Sequence, residues 1–394
     1  MRKMNYAFGG TLALMLFVAG CDDGGGGADT DDGATDGATD GDTEEAPGEV
    51  FACGDLVDTA DLAACSPNAN DYTPGGDDSY DACVTDDGTY TLVDSTPSSI
   101  ARVEAYEEVL TILGEAPTVD DFTAARTKYS EDEGLESRLQ RREDLHFPAI
   151  PESDWDPGVD GDKQCTVASN VEKYPERCAG PSSIAPIIND AFASGQMGEG
   201  EAAVHIARIE AAGLWFLYLS VYKEANTCFT SKAKDCDSAW AYYTGGFDRS
   251  GGIGIADDVM AVSSEAHEAI WDGFSAFRCI RDLNPADDTP EIGDLDMDAQ
   301  ALLCSAQSQL TTALDYGLAQ VVRAKLVELG NLTDVDAQAR WAYLQIIGPV
   351  LDRGGNERNA AEYGSLQSFW SGDAPDAAGI DAAVASLDAV FDCP

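Results

Sequence analysis

The chain of 394 residues carries 72 acidic and 23 basic side chains, which gives a formal net charge of −49 at pH 7. This excess of negative charge argues against a nucleic-acid-binding surface and a basic membrane-binding patch, because both need clustered positive charge. The length is large for a single hydrophobic core and suits a domain built of two halves.

The first twenty residues predict a lipoprotein signal peptide. Residues 1–3 are cationic, residues 6–18 are mostly apolar, and small residues immediately precede Cys21. This order is typical of a bacterial lipoprotein signal, in which cleavage leaves a lipidated cysteine as the first residue. The apolar run is short for a transmembrane helix and is followed by acidic residues. We therefore expect lipid on Cys21 to anchor the protein to a membrane of the cell envelope, with its domain in the periplasm or at the cell surface.

Residues 21–50 are predicted to form a disordered acidic tether. They are mainly Asp, Gly, Thr, Ala and Glu, and they lack the large apolar side chains that would offset the loss of backbone entropy on folding. A calcium-binding repeat is the alternative, but the Asp-Gly spacing is irregular and no closing Glu follows. Residues 51–95 are rich in Gly, Asp and Pro, so we expect an irregular, cysteine-rich segment with one hairpin turn at Asp87-Gly88.

The cysteines predict disulfide bonds rather than metal sites. Setting aside the lipidated Cys21, ten of the 11 cysteines remain, an even number in a chain that we expect to be exported. No Cys-x-x-Cys motif is present, which argues against thiolate metal sites. Short spacings favour a Cys165–Cys178 bond and a Cys228–Cys236 bond, and the pairing of the other cysteines stays open.

From about residue 96 the hydrophobic pattern is helical, so residues 96–394 are predicted to form one all-α domain, a disulfide-stapled helical bundle. The expected helices cover 98–113, 118–129, 131–145, a long helix from 201, a helix from 237, and then 253–283, 298–329, 334–351 and 376–391. Residues 146–200 are predicted to be a long connector held by disulfide bonds. Residues 211–222 are apolar almost all round, which favours a central position for the long helix, and this run is too short to span a bilayer.

A short aromatic motif occurs twice in the helical domain. The Trp-Ala-Tyr sequence at 240–242 returns at 341–343, which is 101 residues later. Several apolar positions of the preceding long helices also coincide at this offset without a gap. The pattern predicts an internal duplication of a long helix, a short loop and an aromatic helix, with halves at about 96–283 and 298–394.

Six side chains are candidate ligands of a metal ion, with iron as the first choice: Glu201, His205, Glu210, Asp237, Tyr242 and Asp248. Glu201 and His205 are four residues apart and share one side of the long helix. Carboxylate and phenolate oxygens are ligands that a hard cation such as ferric iron prefers. Each residue type also has a structural explanation: a histidine held by a neighbouring Glu, an aspartate that caps a helix, or a tyrosine packed in the core.

Patterns of known enzymes are missing from the sequence. No nucleophile elbow, His-Glu-x-x-His motif, phosphate-binding loop or dinucleotide fingerprint is present, so the domain is predicted to be non-catalytic. His267 lies beside the apolar stripe of its helix, and the residues around His146 suggest no mechanism.

Three segments carry a resemblance to a known family: ARVEAYEEVLTILGEAPTVDDFTAARTKY at 101–129, DSAWAYYTGG at 237–246 and QARWAYLQIIGPVL at 338–351. With these segments the chain resembles the algal-type periplasmic low-iron-inducible iron-assimilation protein family, mainly over 200–370. The resemblance implies an exported, helical, non-enzymatic protein linked to iron uptake. It supplies no ligand set.

Bacterial imelysin-like lipoproteins offer a second comparison, since they are also exported and helical with duplicated halves. Their Gly-x-His-x-x-Glu motif is absent from this chain, because Ala203-Val204 precedes His205 and Arg208 follows it at the position of the glutamate. The sequence therefore disfavours this second resemblance.

We expect a cell-envelope lipoprotein whose non-catalytic helical domain binds iron, or an iron-bearing ligand, for uptake. Its partners would be the membrane, through the lipid anchor, and a metal ion or an envelope protein, with no nucleic acid. The alternative is a structural or partner-binding surface lipoprotein with no small-molecule site. The first hypothesis needs the six candidate ligands in one pocket, and the second leaves them scattered.

Overall fold

The structure, a computed structural model, describes residues 90, 92, 96–131, 134–147, 150–154, 164–180, 182–230, 234–281 and 297–391. All of them belong to one unit of the chain, Asp42–Pro394. The expected signal peptide, the lipidated Cys21, the acidic tether and nearly all of the cysteine-rich segment, including its hairpin turn, lie outside the described residues.

Helices make up almost all of the described secondary structure. They are α1 Ser99–Leu113, α2 Val119–Ser130, α3 Leu135–Leu139, α4 Ala168–Lys173, α5 Ile184–Met197, α6 Ala202–Thr230, α7 Lys234–Thr244, α8 Ile255–Val262, α9 Ser264–Arg281, α10 Met297–Leu329, α11 Asp334–Ile347, α12 Asp352–Trp370 and α13 Ala377–Val390. No strand occurs within the described ranges, where an isolated antiparallel bridge joins Glu143 and Cys178. The predicted all-α class is confirmed.

Helix α6 occupies the centre of the domain, as its apolar sequence predicts. It packs against α1, α5, α7, α8, α9, α10 and α11. Phe216, Leu217 and Val221 are completely buried. By length and composition alone, Ala202–Cys228 could cross a membrane, but 61% of its most apolar window is buried within the protein. Burial against other helices accounts for its hydrophobicity.

Local signals fix several helix ends where the sequence predicts them. The Thr118 side chain accepts a hydrogen bond from the Asp121 backbone N–H at 3.3 Å, and Asp121 accepts one from the Thr118 backbone N–H at 2.8 Å. This reciprocal capping box starts α2. At the start of α13 the Asp376 carboxylate accepts a hydrogen bond from the Gly379 N–H at 2.9 Å.

Two expectations about the middle of the chain are wrong. Within 131–145 the helix is limited to α3, five residues long. The expected connector 146–200 contains α4 and the 14-residue α5. Pro186 lies in the first turn of α5, where a helix needs no proline N–H.

The expected helix 253–283 is divided in two. Ser263 has extended backbone angles, φ −153° and ψ 101°, and its hydroxyl accepts a hydrogen bond from the Ala266 N–H at 3.1 Å. This residue therefore ends α8 and caps α9. Val262, directly before this break, is 38% exposed.

Helix α12 was not predicted. Its first turns contain Gly354 and Gly355, which have low helix propensity, and Asn359 interrupts it with non-helical angles of φ −157° and ψ 82°. Tertiary contacts hold this helix in spite of its sequence, because Gly354, Gly355 and Tyr363 are all buried.

Both predicted local disulfide bonds are confirmed. Cys165 and Cys178 are bonded with their Cα atoms 5.2 Å apart, and Cys228 and Cys236 are bonded with Cα atoms 5.0 Å apart. Cys304 is also disulfide-bonded. The remaining pairings fall outside the described side chains.

The two aromatic helices are packed differently. Helix α7 lies against α6, the long helix that precedes it. Helix α11 also has its most extensive contact with α6, and its contact with α10, the helix that precedes it, is smaller. The internal duplication stays a prediction.

Candidate functional site

The six candidate ligands have very different environments. Glu201 and Asp248 are exposed, and Glu210 is half-buried. His205 is buried, and its Nε2 atom lies 2.7 Å from the backbone carbonyl oxygen of Glu199, to which it is hydrogen-bonded. The expected pairing of His205 with Glu201 is therefore replaced by a backbone contact.

Asp237 and Tyr242 are both buried on α7. The Tyr242 hydroxyl accepts a hydrogen bond from Arg102 Nη1 at 3.2 Å, and its ring lies 5.7 Å from the guanidinium carbon of Arg142. Across the described part of the chain, no three His, Cys, Asp or Glu side chains are placed to share a metal ion. A metal site at the six residues stays a prediction, without a convergent geometry to support it.

A different group of polar side chains does converge, and we name it the tyrosine–arginine cluster. Its members are His146, Tyr218, Tyr222, Asp315 and Arg353. Tyr218 and Tyr222 are four residues apart on α6 and therefore project from the same side of that helix. Asp315 comes from α10, Arg353 from the first turn of α12, and His146 from the segment after α3.

Hydrogen bonds and an ion pair connect four members of the cluster. The Tyr218 hydroxyl donates to Asp315 Oδ1 at 2.5 Å, and Arg353 Nη2 lies 3.7 Å from the same oxygen. Arg353 Nη1 donates to the Tyr222 hydroxyl, and its guanidinium carbon lies 4.1 Å from the centroid of the Tyr222 ring. A phenol and a guanidinium thus share one buried carboxylate.

A glycine allows the close approach of α12 to this carboxylate. A Cβ atom at Gly354 would collide with Asp315 Oδ2. The helix backbone therefore packs directly against the carboxylate, which only a residue without a side chain permits.

His146 completes the cluster, and its ring nitrogens have no hydrogen-bond partner among the described residues. Its side chain is 5% exposed. Its ring centroid lies 3.9 Å from that of Tyr222 and 6.3 Å from that of Tyr218. The closest carboxylate oxygen, Asp144 Oδ1, is 3.9 Å from Nε2 and accepts the His146 backbone N–H at 3.0 Å. A buried polar ring without hydrogen bonds is costly and needs an explanation.

Burial sets the protonation of these groups. Desolvation, with the added positive charge of Arg353, lowers the pKa of His146 well below its ordinary value. Burial raises the pKa of Asp144 to about 6. Burial, with the nearby Asp315 carboxylate, raises the pKa of Tyr218 well above 10, and burial raises that of Tyr222 while Arg353 opposes the rise. At neutral pH the cluster therefore contains a neutral imidazole and two neutral phenols.

The donor types are ones that a hard or borderline cation accepts. One imidazole nitrogen with a free lone pair, two phenol oxygens and one carboxylate are a combination that iron accepts. Loss of the two phenol protons would supply the negative charge needed beside Arg353. The unpartnered nitrogens of His146 are the observation that favours a ligand at this place.

A second set of buried charges holds the His146 segment against α6. Arg142 donates from Nη1 and Nη2 to Glu224 Oε1, both at 3.3 Å, and Lys223 Nζ lies 3.3 Å from Glu224 Oε2. These side chains are 7%, 4% and 6% exposed for Arg142, Glu224 and Lys223. Buried pairs of this kind need good geometry to offset desolvation, so they define one arrangement of the segment.

No protein family, no curated protein and no solved structure matches the chain.

Sequence reasoning missed the tyrosine–arginine cluster for an identifiable reason. Tyr218 and Tyr222 lie within the apolar run of α6 and there resemble core residues. Their partners come from three distant parts of the chain, and Arg353 belongs to a helix that was not predicted. The Tyr-x-x-x-Tyr spacing on one side of a central helix was the available signal.

Proposed function

We propose that the chain is a lipid-anchored protein of the cell envelope whose non-catalytic helical domain binds ferric iron at the tyrosine–arginine cluster, for uptake. The buried His146 ring, with both nitrogens unpartnered among the described residues and with Tyr218, Tyr222 and Asp144 around it, is the observation that supports the proposal. The resemblance to iron-assimilation proteins supports the same function from the sequence.

A bound cation would satisfy groups that are costly in its absence. A metal–nitrogen bond would remove the penalty on the buried imidazole, and coordination would release the phenol protons. Apparent affinity should therefore rise with pH, because metal and protons compete for the same oxygens. The raised phenol pKa values make this competition strong.

The decisive experiment is a titration of purified, disulfide-intact protein with ferric ion supplied as its nitrilotriacetate chelate. Saturable binding with a visible tyrosinate-to-iron absorption band is expected. Tyr222→Phe and His146→Gln should abolish or shift the band. Tyr242→Phe and His205→Ala, which change two of the six candidates from the sequence, are the matched controls and should leave it unchanged.

The reverse pattern would restore the site expected from the sequence. Loss of binding in the Tyr242 and His205 variants, with the cluster variants unaffected, contradicts the proposed location and keeps the function. Absence of binding in every folded variant contradicts iron binding itself.

The second candidate is a structural or partner-binding lipoprotein without a small-molecule site. It is favoured by the internal bonds of Asp315, Tyr218 and Tyr222, which a buried structural network also needs. Under this hypothesis Asp315→Asn lowers stability and no metal binds.

The lipid anchor is a proposal with its own test. Cells grown with labelled palmitate should incorporate label into the protein, and Cys21→Ser should prevent it. The wild-type protein should sediment with membranes and the variant should not.

The duplication is part of the same proposal. We infer that 96–283 and 298–394 descend from one helical unit, on the recurrence of the Trp-Ala-Tyr motif and on the burial of both copies. Folding of the second half alone, measured by circular dichroism, would support descent of both halves from one self-folding unit. Failure of this half to fold would count against such a unit.

A further inference from the structure

We infer that Arg177, held by the Cys165–Cys178 disulfide bond, is the positioning residue for His146. The expected effect of Arg177 on iron affinity rests on the proposed function. The attachment of the segment that contains His146 does not, and it can be tested without metal.

The Arg177 guanidinium group forms hydrogen bonds with the segment on both sides of His146. Arg177 Nε donates to Glu143 Oε1 at 2.8 Å, three residues before His146. Arg177 Nη1 donates to the Phe147 carbonyl oxygen at 3.0 Å, one residue after it. The Arg177 side chain is 3% exposed, so water competes little for these bonds.

Backbone contacts complete this attachment. The Asp144 N–H donates to the Arg177 carbonyl oxygen at 2.7 Å, and an antiparallel bridge joins Glu143 and Cys178. The segment 143–147 therefore runs beside residues 177–178, and its path is defined by side-chain and main-chain bonds together. Asp144 in turn accepts the His146 backbone N–H, which extends the attachment to the histidine.

The disulfide bond holds the other side of the contact. Cys178, directly after Arg177, is completely buried and bonded to Cys165, 13 residues earlier. Between them lies the short helix α4, and the Arg177 N–H bonds to the Tyr174 carbonyl oxygen at 3.1 Å just after it. Six residues of helix do not form a stable structure alone, so the disulfide bond keeps this loop, and with it Arg177, in place.

In the proposed site, Arg177 would not bind the metal ion itself but would hold the backbone that carries the His146 ring. Outer-shell partners orient ligands, and their removal usually weakens metal binding about 10- to 100-fold. Here the contact orients the backbone on both sides of the ring and engages neither ring nitrogen.

The test uses the histidine rings of the full chain, which has three histidines. Protein labelled with ¹³C and ¹⁵N in histidine gives three sets of ring signals, assigned with His146→Gln, His205→Gln and His267→Gln. In Arg177→Gln and in the Cys165→Ser/Cys178→Ser double variant, the His146 signals should shift and broaden while those of His205 and His267 stay in place. Arg177→Lys, which keeps the charge but lacks the two-armed geometry, should give a smaller shift and remains usable if the Gln variant folds poorly.

Arg126→Gln is the matched control. It removes an ion pair from Arg126 Nη2 to Glu136 Oε1 at 2.7 Å, and the same guanidinium lies over the rings of Tyr129 and Phe192. Unchanged His146 signals in folded Arg177 variants would overturn the inference, as would equal changes at all three histidines, which indicate general loosening.

Iron titration of the same variants separates this inference from the proposed function. The Arg177 variants should bind ferric nitrilotriacetate about 10-fold or more weakly than wild type and the control. If no protein binds iron but the His146 signals move as expected, the proposed function fails and the positioning stands. If wild type binds iron and the Arg177 variants keep both its affinity and its His146 signals, the positioning is wrong and the function stands.

Discussion

The two Trp-Ala-Tyr copies have the same burial but different polar surroundings. Trp240 and Trp341 are each 6% exposed, and Tyr242 and Tyr343 are 2% and 1% exposed. The Tyr242 hydroxyl bonds to Arg102, whereas the Tyr343 hydroxyl is buried without a hydrogen-bond partner in the described part of the chain. The repeated residues therefore determine the packing of the motif, and the residues around it determine whether the tyrosine hydroxyl is hydrogen-bonded.

The rings of the two motifs also meet different neighbours. Trp240 stacks on Tyr90 with centroids 4.7 Å apart, and Trp341 packs edge-on against Phe369 at 5.2 Å. The Tyr343 ring has Lys325 Nζ within 5.6 Å of its centroid. A motif whose copies are both buried in this way is a poor guide to ligands. Tyr242 was a candidate because of its phenol oxygen, but its burial is explained by packing.

The largest expected effect is common to both copies. Trp240→Ala and Trp341→Ala should each lower the free energy of unfolding by about 3–5 kcal/mol, because each removes a large buried ring and leaves a cavity. Urea unfolding followed by circular dichroism measures both losses. A loss below 1 kcal/mol in one variant alone would show that the copies do not share a packing role.

A smaller effect should separate the copies. Arg102→Met removes the donor to the buried Tyr242 hydroxyl and should cost about 1–3 kcal/mol. Arg340→Met, beside Tyr343, breaks a half-exposed pair with Glu328 and should cost less than about 1 kcal/mol. Equal costs in the same unfolding assay would remove the electrostatic difference between the copies.

Removal of the hydroxyls themselves sharpens the contrast. Tyr242→Phe should cost about 1 kcal/mol through the lost hydrogen bond. Tyr343→Phe should be neutral or slightly stabilising, because the lost hydroxyl had no partner and its burial was unfavourable. A clear destabilisation by Tyr343→Phe would reveal a partner for that hydroxyl.

The smallest effect concerns pH and the residue after each motif. Tyr243 hydrogen-bonds through its hydroxyl to His267 Nδ1 at 3.0 Å, whereas Leu344 occupies the matching position in the second copy. Burial is the main cause that lowers the pKa of His267. The unfolded chain therefore takes up a proton first as the pH falls below about 6.5, and stability decreases from there towards the folded pKa.

His267→Gln should flatten the part of the stability profile that lies below about pH 6.5. Leu344→Ala, which changes the second copy, lowers stability but should leave the slope with pH unaltered. An unchanged slope in His267→Gln would assign the pH dependence to other groups, of which His146 is the first, since its pKa is also lowered.

The sequence predicts those features that depend on neighbours along the chain. The start of α2 near Thr118, the two short disulfide loops and the all-round apolar surface of α6 follow from short-range patterns, and the structure confirms them. Helix α12 is different, because its glycines disfavour a helix locally and only burial against other parts of the protein maintains it.

The tyrosine–arginine cluster depends on distant residues and so could not be predicted. His146, Asp315 and Arg353 have no informative local pattern, and they meet Tyr218 and Tyr222 only when α6, α10 and α12 pack together. Of the six candidates from the sequence, His205 shows the limit most clearly. Its spacing from Glu201 is correct for a shared helix face, but its Nε2 atom is hydrogen-bonded to the backbone carbonyl oxygen of Glu199.

The contact between Gly354 and Asp315 has a consequence for how this region tolerates change. At this contact the backbone of α12 meets the Asp315 carboxylate of α10 directly, and backbone does not yield as a flexible side chain does. Any larger residue at 354 acts as a wedge, and its effect is felt by the carboxylate on the opposite helix. A substitution at 354 would therefore displace the Asp315 carboxylate and weaken the contacts of its Oδ1 atom with Tyr218 and Arg353. The effect would appear at residues far from position 354 in the sequence.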